Sequence, residues 1–191
     1  MWRNIRPAFL MMVILTVLTG FAYPGLVTAL CHVLFPGQSQ GSLVVRNGTI
    51  VGSELIGQDF TRPGYFRPRP SAAGNGYDPL ASGGSNLGPS NPKLAETAGR
   101  AAERFREQNG TRGPVPADAV TSSASGLDPH ISPATAEAQV DRVASARRLS
   151  DEQVRRVLAE NSEGRTFGFL GEPRVNVLKL NLALDRQYGA P

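Results

Sequence analysis

A single cysteine, Cys31, stands in a chain of 191 residues. An intramolecular disulfide is therefore excluded in any compartment. Histidine is nearly as scarce, with only His32 and His130. Cys31 and His32 lie in and beside an apolar run, so no metal-ligand set can be assembled elsewhere. No basic stretch is interleaved with aromatics, which removes the usual footprint of nucleic-acid binding. The formal charge of +4 does not restore it. Arg3 and Arg6 precede the apolar run, and the other 18 basic residues nearly balance 16 acidic ones. The Gly-x-x-x-x-Gly-Lys-Ser/Thr phosphate loop and the Gly-x-Ser-x-Gly nucleophile elbow are both missing.

The longest absence is of charge. No Asp, Glu, Lys or Arg occurs between Arg6 and Arg46. Within that gap PAFLMMVILTVLTGFAYPGLVTAL runs from Pro7 to Leu30. About 20 such residues cross the hydrocarbon core as a helix. His32 and PGQSQGS mark the exit. The basic residues flank only the start, and the positive-inside bias puts that end in the cytoplasm. Trp2, Tyr23 and Phe35 are candidate interface anchors, and Pro24-Gly25 is a candidate kink. Gly20-Phe21-Ala22 loosely fits a signal-peptide cleavage site, but the apolar run continues past it, which favours a retained anchor. Leu30 is too large to precede a lipidated cysteine, so Cys31 reads as a small apolar residue. The expected organisation is a cytoplasmic N-terminus at 1–6, a span and its exit at 7–34, and an extracytoplasmic domain at 35–191.

In that domain SLVVRNGTIV predicts strands at about 42–46 and 49–52, turned at Asn47-Gly48. Asn47-Gly48-Thr49 and Asn109-Gly110-Thr111 have the form of glycosylation sequons and read as turns. Residues 61–92 are rich in Gly, Pro, Ser and Asn, the composition of a linker. Tyr65, Phe66, Tyr77 and Leu87 are apolar anchors that a linker does not need. Asn91-Pro92 starts a helix that ends at Gly110. Ser132-Pro133 repeats that cap and predicts a helix to about Arg148, with Ile131 as a hydrophobic staple. Ser150-x-x-Gln153 is a capping box for a helix to about Asn161. In the tail, Leu178, Leu180, Leu182 and Leu184 recur at period two, which argues strand, with a helical end as the alternative. The fold class is α+β: a single N-terminal transmembrane helix followed by a small mixed soluble domain.

The stretch Ser123 to Pro133 holds three serines, Asp128 and His130. A catalytic reading of Ser125, Asp128 and His130 needs geometry that so short a spacing does not supply. Asp128-Pro129 is a turn start whose carboxylate bonds its own backbone. We therefore expect no catalytic residue and no metal site. Two readings from other classes remain open. One is a membrane-anchored periplasmic enzyme using Asp128 and His130. The other is a secreted binding module that begins at Tyr23 after cleavage.

YFRPRPSA at 65–72, SGGSNLGPSNP at 82–92, PVPADAVTSSASGLDPHISP at 114–133, QVDRVASAR at 139–147 and VNVLKLN at 175–181 occur in that order. Together with the span, they resemble the C subunit of the bacterial Kdp potassium-transporting ATPase. The resemblance implies an accessory subunit of a high-affinity, ATP-driven potassium uptake complex in the cell inner membrane. The implied partners are a channel-like potassium-binding subunit, a P-type ATPase subunit and a small membrane subunit. It implies that the chain stabilises the complex and acts as a catalytic chaperone raising the ATPase subunit's affinity for ATP. ATP and potassium would act at the partners, with no cofactor held by this chain. Tyr65, Phe66, Ser85, Asn86, Asp128 and His130 become partner-contact or structural signature positions. Gln139 matches the glutamine that opens QxxRVAxAR, where a nucleotide role would be sought. By itself it reads as an exposed helix residue. Topology puts the domain outside and ATP inside, so any effect on ATP affinity must cross the membrane as a coupling free energy.

Overall fold

The structure, a computed structural model, describes residues 2–46 and 48–191. Asn47 and the side chain of Trp2 lie outside the described residues, and with them the expected Asn47-Gly48 turn and Trp2 anchor. The chain divides into two compact units, Met1–Val51 and Gly52–Pro191.

In the first unit, α1 (Trp2–Val17), a π turn (Leu18–Ala22) and α2 (Tyr23–Leu34) follow without a gap. Arg3–Leu34 is thus one helix of 32 residues with a mean hydropathy of 2.0, long and apolar enough to cross a membrane. The ring of Pro24 would press on the carbonyl four residues back, at Gly20. The π turn relieves this by widening the helix there, with the Tyr23 N–H bonded to the Leu18 carbonyl. The candidate kink at Pro24-Gly25 lies inside this continuous helix, just after the π turn. A single turn, α3 (Pro36–Ser39), leads to β1 (Leu43–Arg46) and β2 (Thr49–Ser53), which pair as a two-stranded sheet. Gly48 between them has a φ of 77°.

The second unit is built around its caps. Asn91 accepts from the Lys93 N–H at 3.0 Å and starts α4 (Pro92–Asn109), which Gly110 ends at a φ of 64°. Ser132 accepts from the Thr135 N–H at 3.0 Å and starts α5 (Pro133–Glu137). Then follow α6 (Val140–Arg147) and α7 (Asp151–Glu160). The Ser150 hydroxyl accepts from the Gln153 N–H, and Gln153 returns the contact to the Ser150 N–H at 2.8 Å. The expected capping box is formed. β3 (His130–Ile131), β4 (Ser162–Glu163) and β5 (Arg174–Asn176) make an antiparallel sheet with β5 in the middle. His130 faces Asn176, and both Ile131 and Ser162 face Val175. α8 (Val177–Tyr188) closes the unit. Val140, Val143, Val154, Val157, Leu180 and Leu184 form the centre of the core, into which Phe66 is inserted from outside the helices.

Two expectations are corrected. The helix from Ser132 does not run unbroken to Arg148; it turns at Ala138-Gln139. The tail is not mainly a strand, because after three residues of β5 it is helical to Tyr188. On a helix the same four leucines fall into two i, i+4 pairs, Leu178 with Leu182 and Leu180 with Leu184. Val177, Leu180 and Leu184 are spaced three and four apart and are buried. Asn176 decides between the two by capping, its side chain accepting from the Lys179 N–H at 3.1 Å.

Candidate functional site

The second unit centres on the segment Pro63 to Pro70. Its prolines, at 63, 68 and 70, remove ladder donors and fix φ, so it cannot join a sheet. Its backbone nevertheless enters the interior, where every polar group needs a partner. Side chains supply them. The Asn181 amide takes both groups of Phe66: Oδ1 accepts from its N–H at 2.8 Å, and Nδ2 donates to its carbonyl at 2.9 Å. The Gln139 amide does the same for the next residue. Its Oε1 accepts from the Arg67 N–H at 2.8 Å, and its Nε2 donates to the Arg67 carbonyl at 3.1 Å. Two adjacent peptide units are thus paired to two side-chain amides as though to a strand. This lets the Phe66 ring bury completely.

Two arginines of α6 complete the clasp. Arg142 donates to the Pro63 and Tyr65 carbonyls through Nη1, to Gln139 Oε1 at 2.7 Å and to Asn109 Oδ1 at 2.8 Å. It therefore also pins the end of α4. Burial, and next the nearby Arg67, lower the Arg142 guanidinium to about 10, so it stays charged at neutral pH. Arg147 donates to the Gly64 carbonyl at 2.6 Å and to Asp185 at 2.8 Å. Its guanidinium lies 5.0 Å from the centre of the Tyr65 ring. The Tyr65 hydroxyl donates to the other Asp185 oxygen at 3.0 Å. Burial, followed by the Asp185 contact, raises the Tyr65 phenol.

The Ser123–Pro133 stretch is organised in the same way. Asp128 accepts from the His130 N–H at 3.0 Å, lies 3.2 Å from His130 Nδ1 and pairs with Arg69 at 3.1 Å. Asp128 and His130 are thus brought together. The Ser125 hydroxyl instead accepts from the Leu127 N–H and faces Ser123. The contact is the closure of a turn at the entry to β3. Burial raises the Asp128 carboxyl, but the His130 ring, the His130 backbone N–H and then Arg69 outweigh it, and the net direction is down. A carboxylate with a lowered folded pKa stabilises the fold above its unfolded value near 3.9, and that contribution is lost as pH falls. The Asp128→Asn variant should therefore melt below the wild type at pH 7, with the gap closing below about pH 4. Melting the full chain in detergent from pH 7 to pH 3 checks this. A gap of constant size across that range would refute it.

Gly126 shows how tightly this stretch is held. It has a φ of 68°, and a Cβ there would lie 2.6 Å from the Ala73 nitrogen. Ser82 and Gly83 bond the Ser125 carbonyl, so the SGGS sequence packs against the chain's own backbone. Ser71 bonds the Gly126 carbonyl at 2.6 Å, and Tyr77 donates to the Arg69 carbonyl at 2.7 Å.

Of the sequence-predicted positions, the structure gathers Tyr65, Phe66 and Gln139 at the clasp and Asp128 with His130 at the turn. Ser85 and Asn86 are exposed in the loop, Asn86 at a φ of 52°. Gln139 is not an exposed helix residue. It is 2% exposed, and its amide is engaged by Arg67 and Arg142. Sequence reasoning missed Arg142, Arg147, Asn181 and Asp185, whose partners are distant in the chain. It also missed Asp118, which accepts from the Ser132 N–H at 2.7 Å and from the Thr135 hydroxyl at 2.7 Å. One signal was available: polar Asn181 and Asp185 interrupt the apolar face of α8.

These features define a class, a small α+β domain behind one helix long and apolar enough to span a membrane, with its sequence motifs bonded to one another. The comparisons specify it further. A family model described as K+-transporting ATPase, c chain (KdpC) matches residues 5–186. The chain is 60% identical to the potassium-transporting ATPase KdpC subunit of Myxococcus xanthus over 93% of this chain and 85% of the relative. It is 52% identical to that of Koribacter versatilis over 100% and 98%, and 55% identical to that of Sorangium cellulosum over 97% and 98%. The chain belongs to the KdpC family, the c chains of K+-transporting ATPases.

Proposed function

We propose that the chain is a non-catalytic accessory subunit of a potassium-uptake ATPase, holding the complex together and supporting its ATPase. It would be a single-pass protein of the inner membrane, with residues 1–6 in the cytoplasm and the domain outside, because Arg3 and Arg6 flank only the start of the span. Its partners would be a channel-like potassium-binding subunit, a P-type ATPase subunit and a small membrane subunit. The observation that carries this reading is the clasp. Gln139, Arg142, Arg147, Asn181 and Phe66 are all spent on internal bonds and packing, as suits a shaped scaffold rather than a reaction centre. The same observation supports an indirect role for Gln139. If the chain raises the ATPase subunit's affinity for ATP, it does so as a coupling between conformational states across the membrane.

The test is recovery of the complex from cells at limiting potassium, using the tagged full chain in mild detergent. A large channel-like membrane protein and a P-type ATPase are expected to copurify, and recovery of the chain alone would refute the reading. A truncation keeping only the span should lose growth at limiting potassium. Unaltered growth would remove the domain from the mechanism.

A contact surface for a partner subunit is offered by the turn at Phe167–Leu170. Phe167 and Phe169 are 84% and 69% exposed. Thr166 and Leu170 exchange backbone hydrogen bonds of 2.9 Å, and Arg165 pairs with Glu172 at 2.8 Å. An exposed aromatic tip of this kind suits an interface anchor, because aromatic side chains are enriched at the core of protein interfaces. Replacing both phenylalanines by serine should leave the melting temperature within about 1 °C and cut recovery of the partner subunits severalfold. Full recovery would exclude the tip from the interface.

A further inference from the structure

A cavity of about 610 Å³ lies between α4 and the clasped segment. That is within the usual range for small-molecule sites. Its lining includes Arg67, Arg100 and Arg104, with Gln108 as a further polar side chain and Asp59 as the acidic member. The charges around it do not balance. Arg100 pairs with Glu96 at 3.3 Å. Arg67 and Arg104 make no ion pair among the described residues. The Arg67 Nη2 donates to the Thr61 carbonyl, but its Nε is buried and has no hydrogen-bond partner among the described residues. Behind it, Arg142 is bonded only to neutral oxygens, and repulsion from Arg67 adds to the burial that lowers its pKa.

A buried charge is costly unless paired, and a buried donor without an acceptor costs more again. Two guanidinium groups near one another with neutral partners are a standing excess of positive charge. Guanidinium is suited to planar, bidentate capture of carboxylate or phosphate oxygens. We propose that this cavity is a binding site for a small oxyanion of the phosphate or carboxylate class, held by Arg67 and Arg104. The anion meets Arg67 and Arg104 at the cavity wall and offsets the charge that Arg67 shares with Arg142. It thereby stiffens the contact between α4 and the clasp.

The experiment melts the full chain in detergent, in chloride and in inorganic phosphate at equal ionic strength. A ligand at about five times its Kd raises the melting temperature by about 2–4 °C. That rise is expected for the wild type and is expected to vanish in Arg67→Met. In chloride, Arg67→Met should melt no lower than the wild type, because it removes uncompensated charge while keeping its backbone clasp. Arg104→Met, a change at an exposed side chain, should also weaken the phosphate response and guards against misfolding of the first variant. Succinate in place of phosphate separates the two sources of oxyanion. An equal response of wild type and both variants would mean general salt stabilisation, and no response to either anion would mean an empty cavity. Either result overturns the proposal.

Discussion

Replacing Arg147 by methionine is expected to destabilise the second unit more than any other single change considered. The Arg147 and Asp185 side chains are 2% and 5% exposed and pair at 2.8 Å. Removing the guanidinium strips a buried carboxylate of its cation, which costs about 3–5 kcal/mol. It also removes the donors to the Gly64 and Gly189 carbonyls. Against a total stability of about 5–15 kcal/mol, that is a large fraction. The melting temperature should fall by about 10 °C. The double variant Arg147→Met with Asp185→Leu should recover much of the loss, because an apolar pair often replaces a buried ion pair at little cost. Thermal melts of the three variants decide the point. If the double variant falls as far as the sum of its singles, the cost lies elsewhere.

Loss of either amide clasp ranks second. Asn181→Ala leaves the Phe66 N–H and carbonyl buried without acceptor or donor. Each orphaned group costs about 1–3 kcal/mol. Gln139→Ala does the same at Arg67 and also deprives Arg142 of an acceptor. Asn181→Leu fills the space as alanine does not, so equal losses for the two would assign the cost to the bonds rather than to a void. Gln139→Glu keeps the acceptor for Arg142 and loses only the donor to Arg67, so it should fall less far than Gln139→Ala. The ATPase's apparent affinity for ATP in the assembled complex separates a clasp from a ligand contact. It should follow the fraction of folded chain across these variants. A Gln139 variant with unchanged stability and weakened ATP affinity would reassign the residue to the nucleotide.

The parts of the fold legible in the sequence are those whose cause is local. Asn91-Pro92, Ser132-Pro133 and the Ser150–Gln153 box each start a helix because the cap and the amide it satisfies lie two or three residues apart. The long N-terminal helix is legible because its signal, an uninterrupted apolar run, is additive over its length. The tail was misread because the alternation of four leucines hides the three-and-four spacing of Val177, Leu180 and Leu184. The cap at Asn176, which chooses between them, is a weaker local signal than the alternation it competes with.

The sequence by itself determined the long apolar N-terminal helix, the caps and the aromatic anchors in a Pro-rich stretch that composition reads as a linker. Five motifs in order were enough to mark the family. Only the tertiary structure decided what those motifs do. Gln139 lies 72 positions from Arg67 in the chain, and Asn181 lies 115 positions from Phe66. The prolines state that residues 63–70 cannot pair as a strand, but not which side chains will answer their backbone. That choice depends on how α6 and α8 pack, a property of the whole core. A buried amide, guanidinium or carboxylate has the same local signature whether it meets a ligand, a partner or its own chain. The difference is made when folding removes water and leaves each polar group to the neighbours that the core has placed beside it.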